Sequence, residues 1–331
     1  MAEGRAGAQR LAERADETGE ETARLVADYA SGMISLFAAE NEDALARLNS
    51  VSARYDSERH APLALAYAQE FGVGAHNYLG LAHAFCGRFA GSRREVHEAV
   101  TLARTLGQPF PLAHALAVGC AALAFLGDAG ATAALAEEAT AVSGEQGFAP
   151  YLALGRIYGG WARAREGGDG IAEIEQGFDE WKNAGYGLAV PLFGSLLAEA
   201  YVADGRADAA LSLATELLSL VERSGQAQFE SPVRAVLGDA WYALESSDEK
   251  AVDAYTFALE TARRQRAPGH ELRVAVRLAP LWRKAGRERE ACDLLVGALA
   301  SVDGDDDVSV VVEGRKLAEE AGARPVTEGS D

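Results

Sequence analysis

The chain has 331 residues, 49% of them hydrophobic and 24% charged, with a formal net charge of −19. So large an apolar share excludes a disordered polypeptide, and so acidic a surface repels phosphate backbones, which excludes nucleic acid as the expected partner. Apolar runs are short and broken by charge, none approaching the ~20 residues that cross a bilayer, so no membrane role is expected.

The opening, MAEGRAGAQRLAERADETGE, has no apolar stretch of the kind a secretory signal needs, and a cytoplasmic protein is expected. Residues 1–19 are polar and read as a flexible N-terminal segment. Helices are predicted over 20–38 and 42–54, the second with Asn41 as N-cap, and a shorter one over 59–69 after the break at Tyr55-Asp56-Ser57-Glu58. From residue 71 helices alternate regularly: 71–86 with 90–105, 109–126 with 129–143, and 148–165 with 169–183. The alternation continues as 188–203 with 206–223, 229–245 with 248–265, and 269–285 with 287–301. A last helix is predicted over 307–321, and 322–331 reads as a disordered tail. Ala210, Leu211, Ala214, Leu217, Leu218 and Val221 recur at three- and four-residue steps and mark one apolar face. Pro109, Pro111, Pro150, Pro191 and Pro268 stand in first turns, where no intrahelical N–H bond is lost. Pro280 lies inside a helix and is expected to bend it.

Glycine supplies the punctuation. It falls at 87, 127, 167, 205 and 286, with Ser246 in the missing place, and the steps between these positions are nearly equal. A second series, Gly107, Gly147, Gly185 and Gly225, runs half a period out of step. Two interleaved series at one period mean that a two-helix unit repeats, each glycine closing a helix in the left-handed conformation. The fold class expected is therefore all-α: a right-handed superhelix, or α-solenoid, of six or seven antiparallel helix hairpins over residues 20–321, tetratricopeptide-like with repeats of about 40 residues.

Particular stretches then become familiar. Gln146-Gly147-Phe148-Ala149-Pro150-Tyr151-Leu152-Ala153-Leu154-Gly155-Arg156-Ile157 with Gly160-Trp161-Ala162, the stretch Glu271–Arg287, and Tyr55-Asp56-Ser57-Glu58-Arg59-His60 occur in one order and spacing. Together they resemble the C-terminal, MalT-like helical-repeat region of large bacterial regulators that carry a nucleotide cyclase-like domain, a STAND-type ATPase domain and then tetratricopeptide-like repeats. The likeness covers about residues 30–320. It departs at Pro280 and at Gln69-Glu70-Phe71-Gly72-Val73, and no G-x-x-x-x-G-K-[ST] phosphate loop occurs in the 331 residues. The resemblance implies the sensor or scaffold end of such a regulator, as a stand-alone relative or a piece of a longer chain, with a cyclase or ATPase among its partners.

Catalytic motifs are sparse. No G-x-S-x-G or H-E-x-x-H occurs, and Glu166-Gly167-Gly168-Asp169-Gly170 lacks the preceding strand and following lysine of a phosphate loop, so it reads as a turn. His76, His83 and Glu70 are the one set that could build a metal or acid–base site. Cys86, Cys120 and Cys292 are odd in number, far apart and set in apolar text, which suits reduced buried thiols. Arg263, Arg264, Arg266, Arg273, Arg277, Arg283, Lys284, Arg287 and Arg289 read as solvated helix faces and ends, and Asp303 with Asp305–Asp307 as an acidic loop before a helix start. Most aromatics in the middle of the chain read as interhelix packing. A groove on the concave side is expected to be lined by His114, Tyr151, Arg156, Tyr158, Phe193 and Glu199, the aromatics gripping a partner and the two charges orienting it. The function expected is a non-catalytic scaffold or regulatory module in a bacterial signalling or transcription-regulatory system, holding a protein or peptide segment and using no cofactor or metal. The alternative is a small-molecule sensor with a central aromatic pocket.

Overall fold

A computed structural model describes residues 1–67, 69–244, 248–303 and 308–322. Ser246 of the first glycine series, the acidic residues Asp305–Asp307 and the tail from 323 lie outside the described residues.

The described residues form seventeen α-helices and no strand. The chain opens with α1 (Ala2–Thr18), α2 (Glu21–Phe37), α3 (Asn41–Arg54) and α4 (Ser57–Tyr67). Six hairpins follow: α5 (Phe71–Phe85) with α6 (Phe89–Leu106), α7 (Pro109–Leu126) with α8 (Ala129–Gln146), and α9 (Ala149–Arg165) with α10 (Ile171–Asn183). Then come α11 (Val190–Ala203) with α12 (Ala207–Ser224), α13 (Glu230–Ala243) with α14 (Asp248–Arg264), and α15 (Pro268–Lys284) with α16 (Glu288–Ala300). A short 3-10 turn (Ala227–Phe229) leads into α13, and α17 (Ser309–Glu320) follows α16. The architecture is the expected superhelix of antiparallel hairpins.

Its turns explain the period. Gly87, Gly107, Gly127, Gly147, Gly167, Gly185, Gly205, Gly225 and Gly286 all have positive φ, between 64° and 84°. Each ends a helix so that the next can fold back. The second series continues beyond Gly225 with Arg266, which takes the same conformation at φ 50°. A side chain there costs about 1–2 kcal/mol, so the turn is imposed by the helices it joins.

Some local expectations are corrected. Residues 2–18 form α1, which packs on α2, and the Met1 ammonium donates to the Ser224 carbonyl at 2.8 Å. Asn41 does not cap α3: its amide is buried and donates to the Gln265 carbonyl at 3.3 Å, 224 positions away. Pro280 lies inside its helix, as expected, on the exposed side, and the helix runs from Pro268 to Lys284. α7 is 18 residues long and carries no charged side chain, contrary to the expectation of uniformly short apolar runs; 78% of it is buried, between α5, α6, α8 and α9.

The first helix of each hairpin (α5, α7, α9, α11, α13, α15) faces inward, and α15 returns to touch α5. The superhelix thus closes on itself as a ring. Phe85 stacks on His270 with centroids 4.9 Å apart, and Phe125 meets the same imidazole edge-on at 5.0 Å. A Cβ on Gly269 would stand 2.2 Å from the Ala84 carbonyl, so only glycine permits this approach. The Val302-Asp303 segment completes the seam. The Asp303 amide donates to the Gly87 carbonyl at 2.8 Å, and its carboxylate accepts from the Phe89 and Ala90 amides at 2.8 and 3.2 Å. α6 has no side-chain cap of its own, so the far end of the chain supplies one.

Asp303→Ala is expected to cost about 1–2 kcal/mol, the range of a lost N-cap, and to speed hydrogen exchange at Phe89 and Ala90; unchanged exchange there would refute the cap. Gly87→Ala and Gly205→Ala both force a side chain into positive φ, but only the first drives a Cβ to 2.5 Å from Val302. Gly87→Ala is therefore expected to destabilise by at least about 1 kcal/mol more in urea titration.

Candidate functional site

Ring closure decides what the concave side can do. Most of it is filled. Leu36, Phe37, Tyr78, Phe85, Tyr158, Trp181, Phe193 and Phe229 converge around an apolar cavity of only about 70 Å³. Tyr158 and Phe193 are buried and meet edge-on at 6.1 Å, and Phe193 also packs on Trp181 at 5.2 Å. These two predicted groove residues are core. His114 is buried as well, between Tyr78 (6.4 Å) and the half-buried Tyr151 (5.5 Å), which also packs on Phe110. Its imidazole nitrogen Nδ1 has no hydrogen-bond partner among the described residues. An aromatic pocket able to hold a metabolite needs some 300 Å³ or more, so the central cavity does not provide one.

Arg156 and Glu199, expected to share a groove, are separated. Arg156 pairs with Glu180 of α10 beside a cleft of about 400 Å³ lined by Ala149, Pro150, Leu152, Ala153, Trp181 and Tyr186. Tyr186 is 40% exposed there, and the Trp181 indole donates to the Leu188 carbonyl at 3.0 Å, which fixes the ring. The cleft depends on close approach of α9 and α10. A Cβ on Gly170 would stand 1.9 Å from the Gly160 carbonyl, and one on Gly177 2.6 Å from the Ala153 carbonyl. The glycine-rich stretch 167–170 is thus a turn, as its sequence context implies, with Gly170 placed for helix contact.

Glu199 lies in a second, partly open space, a polar chamber of about 320 Å³ lined by the later turns of α7, α9, α11 and α13, by α15 from Arg273 to Arg277 and by α17. Arg277 sits between two carboxylates, donating to Asp239 at 3.1 Å and Glu199 at 2.9 Å. Asp239 also accepts from the Tyr255 hydroxyl at 2.7 Å. Burial opposes the charge on Arg277, but these two neighbours outweigh it and hold the guanidinium above its ordinary range. Burial raises Asp239 despite the nearby cation. Arg273 is less well neutralised. It donates to the Phe125 carbonyl at 2.9 Å and stands 3.6 Å from Glu199, and burial lowers its pKa, with Arg277 and Arg165 adding to the effect. Arg165 and Glu313 line the chamber with no ion pair among the described residues.

Arg273 and Arg277 were assigned from sequence to solvated faces; they are inward. A signal for them existed. Glu199, Asp239 and Arg277 are each the tenth residue of their inner helix. A charged residue recurring at one place in successive inner helices marks an inner polar layer.

The third expected set does not converge. The Glu70 carboxylate caps α5 by accepting from the Val73 amide at 2.7 Å. His76 bridges the Ser52 hydroxyl (3.2 Å) and Glu95 (2.8 Å), and His83 Nδ1 has no hydrogen-bond partner among the described residues. Ser52–His76–Glu95 has the connectivity of a nucleophile relay, but Ser52 lies in the body of α3, where neighbouring amides are committed to the helix and cannot stabilise an oxyanion. The three cysteines are free thiols; Cys86 and Cys120 are buried, which raises the pKa of both.

Fold and interior together define a tetratricopeptide-like helical-repeat protein. Solved structures share this fold. The chain is similar to apo RapI (9% identity, 89% of this chain and 99% of that one, TM-score 0.51). It is also similar to a Rap protein complexed with Competence and Sporulation Factor (11%, 90% and 87%, TM-score 0.58) and to NprR in complex with its cognate peptide NprX (11%, 89% and 81%, TM-score 0.53). At these identities the likeness is one of fold. No family model matches the chain, and no curated protein matches its sequence.

Burial lowers His114 to about 4 and His270 to about 3, Arg273 adding to the second. The unfolded chain protonates both near 6.5. Below that pH the unfolded state binds more protons, so stability present above 6.5 falls as pH drops toward 4. His270→Phe keeps the stacked seam and removes one titration. The stability difference between pH 7 and pH 5, from urea midpoints, is expected to shrink by about 2 kcal/mol; an undiminished difference would exclude His270 as a source of acid sensitivity.

Proposed function

We propose that this chain is a non-catalytic regulatory scaffold that holds a short peptide segment of a partner protein in the cleft between α9 and α10. The observation that carries the reading is the cleft itself. It is apolar and about 400 Å³ in volume, with Tyr186 and the fixed Trp181 ring as anchors and the Arg156–Glu180 pair beside them. Aromatic anchors flanked by an orienting charge are what peptide recognition uses. The filled concave side directs such a partner to this outer cleft. Two similar structures, Rap with Competence and Sporulation Factor and NprR with NprX, hold their ligands on the same fold and support a binding role. The sequence resemblance extends the reading to a bacterial signalling system with a cyclase- or ATPase-bearing partner. The free thiols agree with a cytoplasmic setting.

Selection from a random peptide library against the full chain is expected to return ligands of micromolar affinity. Tyr186→Ser and Arg156→Ala should each weaken them by about tenfold, near 1.4 kcal/mol, without lowering thermal stability. Selected peptides that bind both variants as tightly as the parent would disprove this site.

A further inference from the structure

A groove of about 480 Å³ runs between α10 and α12, with α11 as its floor. Phe178 and Leu197 are buried at its base, and Tyr201 and Leu213 stand half-buried above them. Ala209 and Ser212 are small, which keeps the α12 wall low. The lining runs from Glu175 to Lys182 on α10 and from Ala209 to Glu216 on α12. Each wall is thus about two helical turns long, roughly 10 Å. That is the span of a stripe at i, i+4 and i+7 on one face of another helix. An extended strand covers the same length in about three residues and turns every second side chain away from the floor.

Charge decides which kind of helix fits. α8, α10 and α12 together carry ten carboxylates and two cations, Lys182 and Arg223. Four arginines reach those carboxylates from elsewhere: Arg104, Arg156, Arg163 and Arg206. Ten negative charges therefore face six positive ones. On the α10 wall, Glu175 is paired by Arg206 and Asp179 by Lys182. On the α12 wall, Glu216 is exposed and has no ion pair among the described residues, and neither have Asp208 and Glu222 before and after it. The floor accepts cations too, since Lys182 lies over the Phe178 ring at 4.3 Å and Arg206 over Tyr201 at 4.1 Å. We propose that the groove docks a basic amphipathic helix of a partner protein, its apolar stripe against Tyr201 and Leu213 and a lysine or arginine beside Glu216. The groove lies on another face of α10 from the peptide cleft, so this inference goes beyond that reading.

The probe is a displayed library of helical peptides of about 14 residues, four turns, with an apolar stripe and flanks randomised among acidic, neutral and basic residues. It is selected on the full chain, with the Ser212→Trp chain as subtractive control. Enriched helices are expected to carry lysine or arginine on their flanks and to bind less tightly as salt rises. Ser212→Trp, at an exposed position, fills the groove and should weaken them about tenfold. Glu216→Lys should weaken them about fivefold. Neither substitution should lower the melting temperature. Tyr186→Ser, which weakens ligands of the peptide cleft, should leave these helices unaffected, so the two readings fail separately. No enrichment, enrichment of neutral or acidic helices, binding that survives Ser212→Trp, or binding lost in Tyr186→Ser would each overturn the proposal. So would a dimer of the chain that Ser212→Trp disperses, since a second copy would then be the occupant.

Discussion

The seam between α5 and α15 is the constraint on which the rest of the structure depends. Stacked hairpins touch only their neighbours, so an open array would leave its concave side to solvent. Here Phe85 against His270, Asp303 on the start of α6 and Gly269 against Ala84 join the first of the six hairpins to the end of the array. Closure turns the inner face into an interior. Aromatic residues that an open groove would display are instead buried against one another.

The interior has two layers for the same reason. One layer, which includes Phe85, Tyr158, Phe193 and Phe229, is apolar and nearly full. The other holds Glu199, Asp239, Arg273 and Arg277, each in at least one ion pair. A buried ionic layer is a poor source of stability, since desolvation offsets much of the attraction.

The outer cleft owes its form to glycine. Gly160, Gly170 and Gly177 let α9 and α10 approach until backbone meets backbone, and the bulk of Trp181 and Tyr186 then stands beyond the contact. Recognition residues placed on rigid helices at a glycine-tight junction are held more firmly than residues on a loop.

The one-dimensional pattern contained the helices, their pairing and their turns, because helical periodicity and left-handed glycines are local properties. The positive φ of nine spaced glycines is that information made visible. Glu199 was legible as a charge in apolar text, and Arg156 likewise, but their partners were not. Glu180 and Arg277 lie 24 and 78 positions away, and which of them a charge meets depends on how far the superhelix winds. The same holds for Asn41, whose amide serves Gln265 and not its own helix, and for Asp303, which caps α6. Sequence by itself determined an all-α array with a regular two-helix period, since each repeat folds on local terms. Only the tertiary structure decided that the array closes, since small rotations between neighbours add up around the ring and no single repeat encodes their sum.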